Sequence, residues 1–395
     1  MKKLYIAFVG RRNAGKSSMM NLITGQNVAI VSDTPGTTTD PVKKSYEIPG
    51  FANAVLVDTA GIDDFGELGT QRISKTKQSL LQSDIAVFVF TDNKFDAPEK
   101  EICEFMISKD IPFIMVHNKC DQTPLNPTLK EKLEQKYKKK VIDFSVADSN
   151  PDLIIEAIKN LQLDENEKTP PMLGDLLKKN DIVLLIAPID SEAPTGRLIL
   201  PQVQVMRDVL DNHCIAITLQ PEELPHFLSH TGLYPRLAVT DSQVFKHVSD
   251  TLPLEIPLTS FSIIMARHKG YFEEYIAGTR RIDGLLDGDN VLIMESCSHQ
   301  VSCEDIGRVK LPAMLGRYTG KKLNFTFISG LSPIEDFEKY SLVIQCGGCM
   351  VTPQQLRRRI SPFVESHTPV SNYGMAIAFM NGIFERSVEI FQSKN

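Results

Sequence analysis

Short apolar strands alternating with longer helical stretches, a glycine-rich phosphate loop at the end of the first strand, and a polar break near residue 168 predict an α/β protein built on mostly parallel sheets. The 395 residues allow two to four domains. The breaks place three, at 1–167, 170–265 and 266–395. An apolar share of 42% and a net charge of −6, from 43 basic and 49 acidic residues, exclude a disordered chain. The same charge argues against non-specific nucleic-acid binding, which rests on Lys and Arg neutralising phosphates. Seven cysteines are too few for a disulfide framework in so long a chain, and the odd number leaves one unpaired. The first apolar run, Leu4–Val9, is too short for a secretion signal, and no run approaches the ~20 apolar residues of a spanning helix. The expectation is a soluble, cytoplasmic protein with neither nucleic acid nor membrane as partner.

In the first domain, strands are expected at Leu4–Val9, Ala54–Val57, Ile85–Phe90, Phe113–Val116 and Val141–Phe144. The acidic stretch Asp164–Pro171, ending in two prolines, reads as a linker. Beyond it, Ile182–Ala187, Cys214–Leu219 and Leu237–Val239 read as strands. A helix enters at Pro201 and carries Val205, Met206, Val209 and Leu210 at helical spacing. No phosphate loop, acid–base pair or metal-ligand spacing occurs in this middle segment, so its role is to hold the assembly together. In the last segment, Val291–Met294, Asn324–Ile328 and Leu342–Ile344 read as strands, and Arg357-Arg358-Arg359 as the solvated face of a helix.

Gly10-Arg11-Arg12-Asn13-Ala14-Gly15-Lys16-Ser17 matches GxxxxGK[ST] directly after a strand and before the helical run Ser18–Ile23. In that setting backbone amides wrap the β-phosphate, Lys16 reaches β/γ oxygens and Ser17 binds Mg²⁺. Asn13, Ala14, Gly15, Lys16, Ser17 and Ser18 are therefore the phosphate-side contacts. Asp58-Thr59-Ala60-Gly61 follows the strand Ala54–Val57, which puts Asp58 in the Mg²⁺ shell and the Gly61 amide toward a γ-phosphate. Asn118-Lys119-Cys120-Asp121 follows the next-but-one strand, and a carboxylate at Asp121 accepts both N1–H and the exocyclic amine of guanine, a donor pair adenine lacks. Ser145-Val146-Ala147 fits the loop whose backbone caps the guanine O6, so Ser145 and Ala147 complete a GTP site.

Residues 1–165 resemble the tRNA-modification and Era-like GTPases, because Gly36-Thr37-Thr38-Thr39-Asp40 is similar to that group's GTTRD switch, with Thr39 in place of Arg. The resemblance implies that Thr38 closes on Mg²⁺ and the γ-phosphate, and that Asn13 helps bind K⁺ beside the phosphates. Ile62, which follows Gly61, cannot orient an attacking water as a glutamine does, so unaided hydrolysis is expected to be slow.

Cysteines concentrate late in the chain. Cys297-Ser298-His299 follows one predicted strand, and Gln345-Cys346-Gly347-Gly348-Cys349 follows another. If both strands lie in one parallel sheet, their C-terminal ends share the edge where α/β folds place ligands. Gly347 and Gly348 permit the tight turn. Thr352 and Gln355 form a capping pattern with Pro353 at a first-turn position, so a helix is expected just past Cys349, its dipole favouring thiolate. Structural zinc with three cysteines and His299, a [4Fe–4S] cluster held by three cysteines, and unligated thiols all fit. Spacing does not separate zinc from iron–sulfur. Cys303 is a further candidate ligand, whereas Cys103, Cys120 and Cys214 read as packing residues.

The P-loop domain, the middle stretch Ile186-Ala187-Pro188-Ile189-Asp190-Ser191-Glu192-Ala193-Pro194-Thr195-Gly196-Arg197-Leu198-Ile199-Leu200-Pro201-Gln202, and the terminal CxH…CxxC together resemble the [FeFe]-hydrogenase maturation GTPases across essentially the whole chain. That resemblance implies a P-loop GTPase domain followed by two smaller α/β domains, one for homodimerisation and one for cluster binding. It implies that Cys297, Cys346 and Cys349 hold a [4Fe–4S] cluster. It also implies a scaffold that receives a diiron precursor from radical-SAM maturases and delivers it to the apo-[FeFe]-hydrogenase. Gln345 stands where the family has a second histidine, which leaves the fourth iron position to His299, Glu295, Glu304, solvent or the incoming diiron unit. The competing reading is an RNA- or ribosome-associated GTPase with a zinc domain; the acidic balance and the lack of a basic, aromatic face weigh against it. GTP turnover is expected to be faster in K⁺ than in Na⁺ at matched ionic strength, and equal rates in the two salts would contradict the role given to Asn13.

Overall fold

The computed structural model describes residues 3–25, 42–63, 67–167, 169–189, 196, 198–296, 305–332, 334 and 336–392. The chain packs as two compact units, Met1–Lys168 and Thr169–Asn395.

The first unit is organised by strands that are apolar on both faces. Six strands, β1 (Lys3–Gly10), β2 (Val42–Ile48), β3 (Ala52–Asp58), β4 (Ile85–Phe90), β5 (Phe113–His117) and β6 (Val141–Asp143), form one sheet in the order β2-β3-β1-β4-β5-β6. Every neighbour pair is parallel except β2–β3. All residues of β4 and β5 are buried, as expected for central strands covered by helices on both sides. The period of two divides β1 between two cores. Leu4, Ile6 and Phe8 pack with Met19 and Ile154, while Ala7 and Val9 pack with Phe88, Phe90 and Cys103.

Two features of this unit differ from the sequence reading. β2, Val-Lys-Lys-Ser-Tyr-Glu-Ile, is a mostly exposed edge strand whose charged residues hide its alternation. The helix Asp152–Glu167 runs through the acidic stretch expected to be linker, so the linker starts later than its composition suggests.

The second unit holds two four-stranded, all-parallel sheets. One is β10-β9-β7-β8, made of β7 (Ile182–Ile186), β8 (Ile215–Leu219), β9 (Leu237–Thr240) and β10 (Leu258–Ser260). The other is β12-β11-β13-β14, made of β11 (Asn290–Met294), β12 (Asn324–Ile328), β13 (Leu342–Gln345) and β14 (Val370–Asn372). The helix Leu200–Asp211 carries Pro201 in its first turn, as its sequence predicts, and buries Val205 and Val209. A single core joins both sheets, running from Leu184 and Phe245 through Ile263 and Tyr275 to Met294, Phe363 and Met375. Residue 265 lies inside the helix Phe261–Lys269, whose apolar residues enter this core and that of the first sheet. No described helix is long and apolar enough to cross a membrane.

The helix Phe272–Thr279 lies so close to β14 that a Cβ at Gly278 would collide with the carbonyl oxygen of Val370 and stand 2.6 Å from its amide nitrogen. Backbone cannot yield as a side-chain tip can. Gly278→Ala is therefore expected to lower stability by ~1–3 kcal/mol. Gly316→Ala, in the helix Leu311–Thr319 with nothing within 4 Å of the new Cβ, should raise it by ~0.4–1 kcal/mol. Urea unfolding followed by circular dichroism separates the two; equal midpoints would refute the close-approach account.

Candidate nucleotide and thiol sites

In the first unit the motif residues stand at the C-terminal ends of β1, β3, β5 and β6, the edge where parallel sheets hold ligands. The helix Lys16–Thr24 starts immediately after the loop, with Gly15 at its N-terminus in a left-handed conformation (φ 90°). Glycine is required there twice over, because any Cβ would also run into the Asn118 amide. Asn118 uses that space to donate from Nδ2 to the carbonyl of Ala14 at 2.8 Å, and its own amide is held by Phe90 O. The guanine-side motif thus fastens the phosphate loop. Asn118 Oδ1 is buried and has no partner among the described residues.

Lys16 donates from Nζ to the carbonyls of Gly10 (3.0 Å) and Arg11 (2.7 Å). Ser17 Oγ donates to Asp58 Oδ2. Asp58 is only 6% exposed, and burial pushes its carboxyl up, with the Ser17 hydrogen bond and the Lys16 charge pulling it back. Its second oxygen, Oδ1, is buried with no partner among the described residues. A hydroxyl beside a carboxylate with one orphaned oxygen is a donor set that suits Mg²⁺. Gly61 abuts Arg12, whose amide donates to Asp63 Oδ1 at 2.9 Å, so the loop after β3 rests on the phosphate loop. Asn13 is exposed at the loop crest with φ 58°. Ser18 lies in the first turn of the helix.

On the base side, Asp121 is exposed after Lys119, whose backbone is left-handed (φ 63°). Ser145 is buried, and its Oγ accepts from the Ala147 amide at 3.1 Å, which shapes that loop. Thr38 lies outside the described residues.

Two residues missed in the sequence brace this site. Arg11 reaches Glu99, which is 1% exposed, through Nε and through Nη2 at 2.8 Å; the same carboxylate caps the helix Ala97–Ser108. His117, fully buried before Asn118, pairs its Nδ1 with Asp143 Oδ1 at 2.7 Å. A buried carboxylate far along the chain from every motif leaves no sequence signal for the first pair.

In the second unit the CxxC turn follows β13. The β11–β13 register sets Met294 opposite Gln345. Cys346 N–H donates to Met294 O at 2.9 Å, and the amide of Ser296 donates to Cys346 Sγ at 3.1 Å. Gln345, fully buried, donates from Nε2 to Ser296 Oγ (3.0 Å) and to Cys346 Sγ (3.3 Å). Its amide oxygen is unpartnered among the described residues. The expected capping box forms: Thr352 Oγ1 accepts from Gln355 N and Gln355 Oε1 from Thr352 N, opening the helix Pro353–Glu365.

Burial pushes the Cys349 thiol up, as does Cys346, while Lys269 pulls it down. Lys269 is 4% exposed, and burial pulls it down to about 8 against the opposing influence of Cys349 and Cys346. Its Nζ donates to the carbonyls of Gly348 and, at 2.7 Å, Val351. Arg359 is buried too, and donates to Glu295 O (2.9 Å) and Ile328 O (3.3 Å). The arginine run is therefore not the solvated face its sequence suggests, since Arg357 also bonds inward, to Lys269 O at 3.2 Å. Its spacing held a clue: Leu356, Arg359, Ile360 and Phe363 share one helical face, and all four are buried. Glu295 is committed through Oε2 to Arg308 and Ser329, with Oε1 unpartnered among the described residues.

Cys297, His299, Cys303 and Glu304 lie outside the described residues. Among the described residues no group of three or more His, Cys, Asp or Glu is placed to hold a metal. Two thiols backed by amide donors and by the buried cations Lys269 and Arg359 nonetheless suit an anionic thiolate ligand set.

Fold and site define a P-loop GTPase domain joined to an α/β unit whose sheet edge carries a thiol pair. Residues 5–119 match a family model described as 50S ribosome-binding GTPase. Residues 172–270 match the hydrogen maturase F dimerization domain, and 273–390 the hydrogen maturase F tetramerization domain. The chain belongs to the hydrogen maturase F (HydF) family. Among curated relatives, the tRNA modification GTPase MnmE of Endomicrobium trichonymphae is 32% identical over 46% of this chain and 41% of its own length. The MnmE of Nitrosomonas europaea is 35% identical over 32% and 28%. The chain thus spans less than half of these relatives. Similar solved structures include Era in complex with MgGDPNP and a 16S ribosomal RNA segment (28% identity, TM-score 0.38, 41% of this chain and 57% of that one). The FeoB G-domain of Methanococcus jannaschii is another (20% identity, TM-score 0.33, 41% and 98%).

Proposed function

We propose that the chain is a GTP-hydrolysing scaffold that holds a [4Fe–4S] cluster and carries a diiron precursor, as its cargo, to the apo-[FeFe]-hydrogenase. The observation that carries this reading is the 3.1 Å hydrogen bond from Ser296 N to Cys346 Sγ, since Ser296 immediately precedes Cys297. Membership of the family supports it as well. In this reading Cys297, Cys346 and Cys349 are the ligands, and Gln345, already hydrogen-bonded to Cys346 Sγ, serves as a neighbour of the cluster instead of a ligand. The fourth position stays open to His299, another donor or the cargo. A bound cluster supplies a one-electron centre and a docking point for the cargo.

In the first unit, Ser17, Asp58 and Thr38 hold Mg²⁺, Asn13 assists K⁺, and Asp121 selects guanine. Hydrolysis is slow because the buried Ile62 offers no polar group to an attacking water. GTP state tunes the association with radical-SAM maturases and hydrogenase in the cytoplasm. A three-part functional division is supported by the family matches over 5–119, 172–270 and 273–390, whose second break falls just past the helix Phe261–Lys269 and not at residue 265 within it.

The dimerization and tetramerization matches support self-association. We assign the homodimer contact to the middle domain, where the edge strand β8 exposes Ile215 and the helix Leu200–Asp211 exposes Leu200, Val203 and Leu210. Unpaired edges with apolar side chains invite pairing. The ribosome-associated alternative draws on the first-unit matches alone.

After anaerobic reconstitution with iron and sulfide, dithionite reduction should give an S = 1/2 EPR signal that is lost in Cys346→Ser and Cys349→Ser. Stoichiometric zinc with no paramagnetic species would sink the scaffold reading in favour of the zinc-domain one.

A further inference from the structure

Lys269 closes the helix Phe261–Lys269, within the segment that matches the dimerization domain, yet its ammonium lies in the turn that carries Cys349. Removing an ammonium from water is costly unless charge and hydrogen bonds replace the lost hydration. Carbonyls of Gly348 and Val351 satisfy two of its three donors, and no carboxylate forms an ion pair with it among the described residues. The cysteines of the same turn, Cys349 and Cys346, are the groups whose negative charge on ionisation acts on it. Its position is fixed from the other side as well. Arg357 Nε donates to Lys269 O at 3.2 Å, and the following Gly270, at φ 99°, leaves room for the Arg357 side chain, 3.1 Å from where a Cβ would stand.

We propose that Lys269 is a positioning residue by which the dimerization segment governs the cysteine site: it clamps the Gly348–Val351 turn and supplies the positive charge that balances a thiolate-held cluster. This rests on the iron–sulfur reading above. Net charge around a cluster sets its potential, and adding one electron raises the negative charge that Lys269 faces. The lysine therefore favours the reduced state and slows loss of iron.

The test uses the full chain reconstituted anaerobically, as wild type, Lys269→Met and the exposed control Lys246→Met. EPR-monitored redox titration and iron release to a chelator are the readouts, with melting by circular dichroism and GTP turnover as checks on folding. At a fixed potential Lys269→Met should show a reduced-to-oxidised ratio at least ten-fold lower, a shift of ~59 mV for a one-electron couple. Its iron release should be several-fold faster, with Lys246→Met unchanged. If Lys269→Met does not melt cooperatively, Lys269→Gln, which keeps amide donors for the two carbonyls without the charge, carries the same expectation. A wild-type chain that takes up no paramagnetic cluster overturns the iron–sulfur reading itself. A wild-type chain that takes it up, with the folded variant titrating at the same potential, overturns only the role of Lys269.

Discussion

Cys346 gives its amide proton to Met294 O and receives that of Ser296 on its sulfur, and the arrangement of the second unit's site depends on this pair of bonds. They continue the β11–β13 ladder by one step beyond the last paired residues, Met294 and Gln345. A parallel ladder brings two segments fifty residues apart to one edge, where these bonds join them. A slip of one residue would turn Cys346 to the other face and bring Gln345 into its place. Gln345 and Arg359 guard against that slip. The first bonds both Ser296 and the Cys346 sulfur, and the second ties the carbonyls that end β11 and β12.

The first unit solves a similar problem with different parts. Its loops also issue from the C-terminal ends of parallel strands, but here side chains lock one loop to another. Asn118 holds Ala14 O in the space that Gly15 leaves free, and Arg11 is drawn to the buried Glu99. Asp58 and Asn118 each retain one buried oxygen without a partner among the described residues. Unmet buried acceptors are costly in a folded protein, so a cation or ligand hydrogen bond at these points gains more than it would on a surface.

Much of this was legible in the sequence because the chemistry sits where local rules act. The phosphate loop, Asp58-Thr59-Ala60-Gly61 and Asn118-Lys119-Cys120-Asp121 each follow an apolar run that can only be a buried strand, and the Thr352–Gln355 cap is a local pattern. What was hidden depends on tertiary packing. β2 is an edge strand rich in charge, and β10 and β14 have three residues each, too few for a period to show. The helix ending at Glu167 continues through a stretch whose composition suggests a loop. Arg359 was half legible, by its spacing among Leu356, Ile360 and Phe363, although charge argued for solvent. Lys269 ends a basic stretch, Arg267-His268-Lys269, which suits any helix C-terminus. Only the fold shows that its last member turns inward.

The central claim is the proposal that Cys297, Cys346 and Cys349 serve as one ligand set. It is tested most directly by alkylating the protein before and after anaerobic reconstitution and reading each cysteine by mass spectrometry. The account predicts that Cys297, Cys346 and Cys349 become protected together and are released together when a chelator removes the iron, while Cys120 reacts alike in both states. Protection of Cys346 and Cys349 with Cys297 fully alkylated would contradict it.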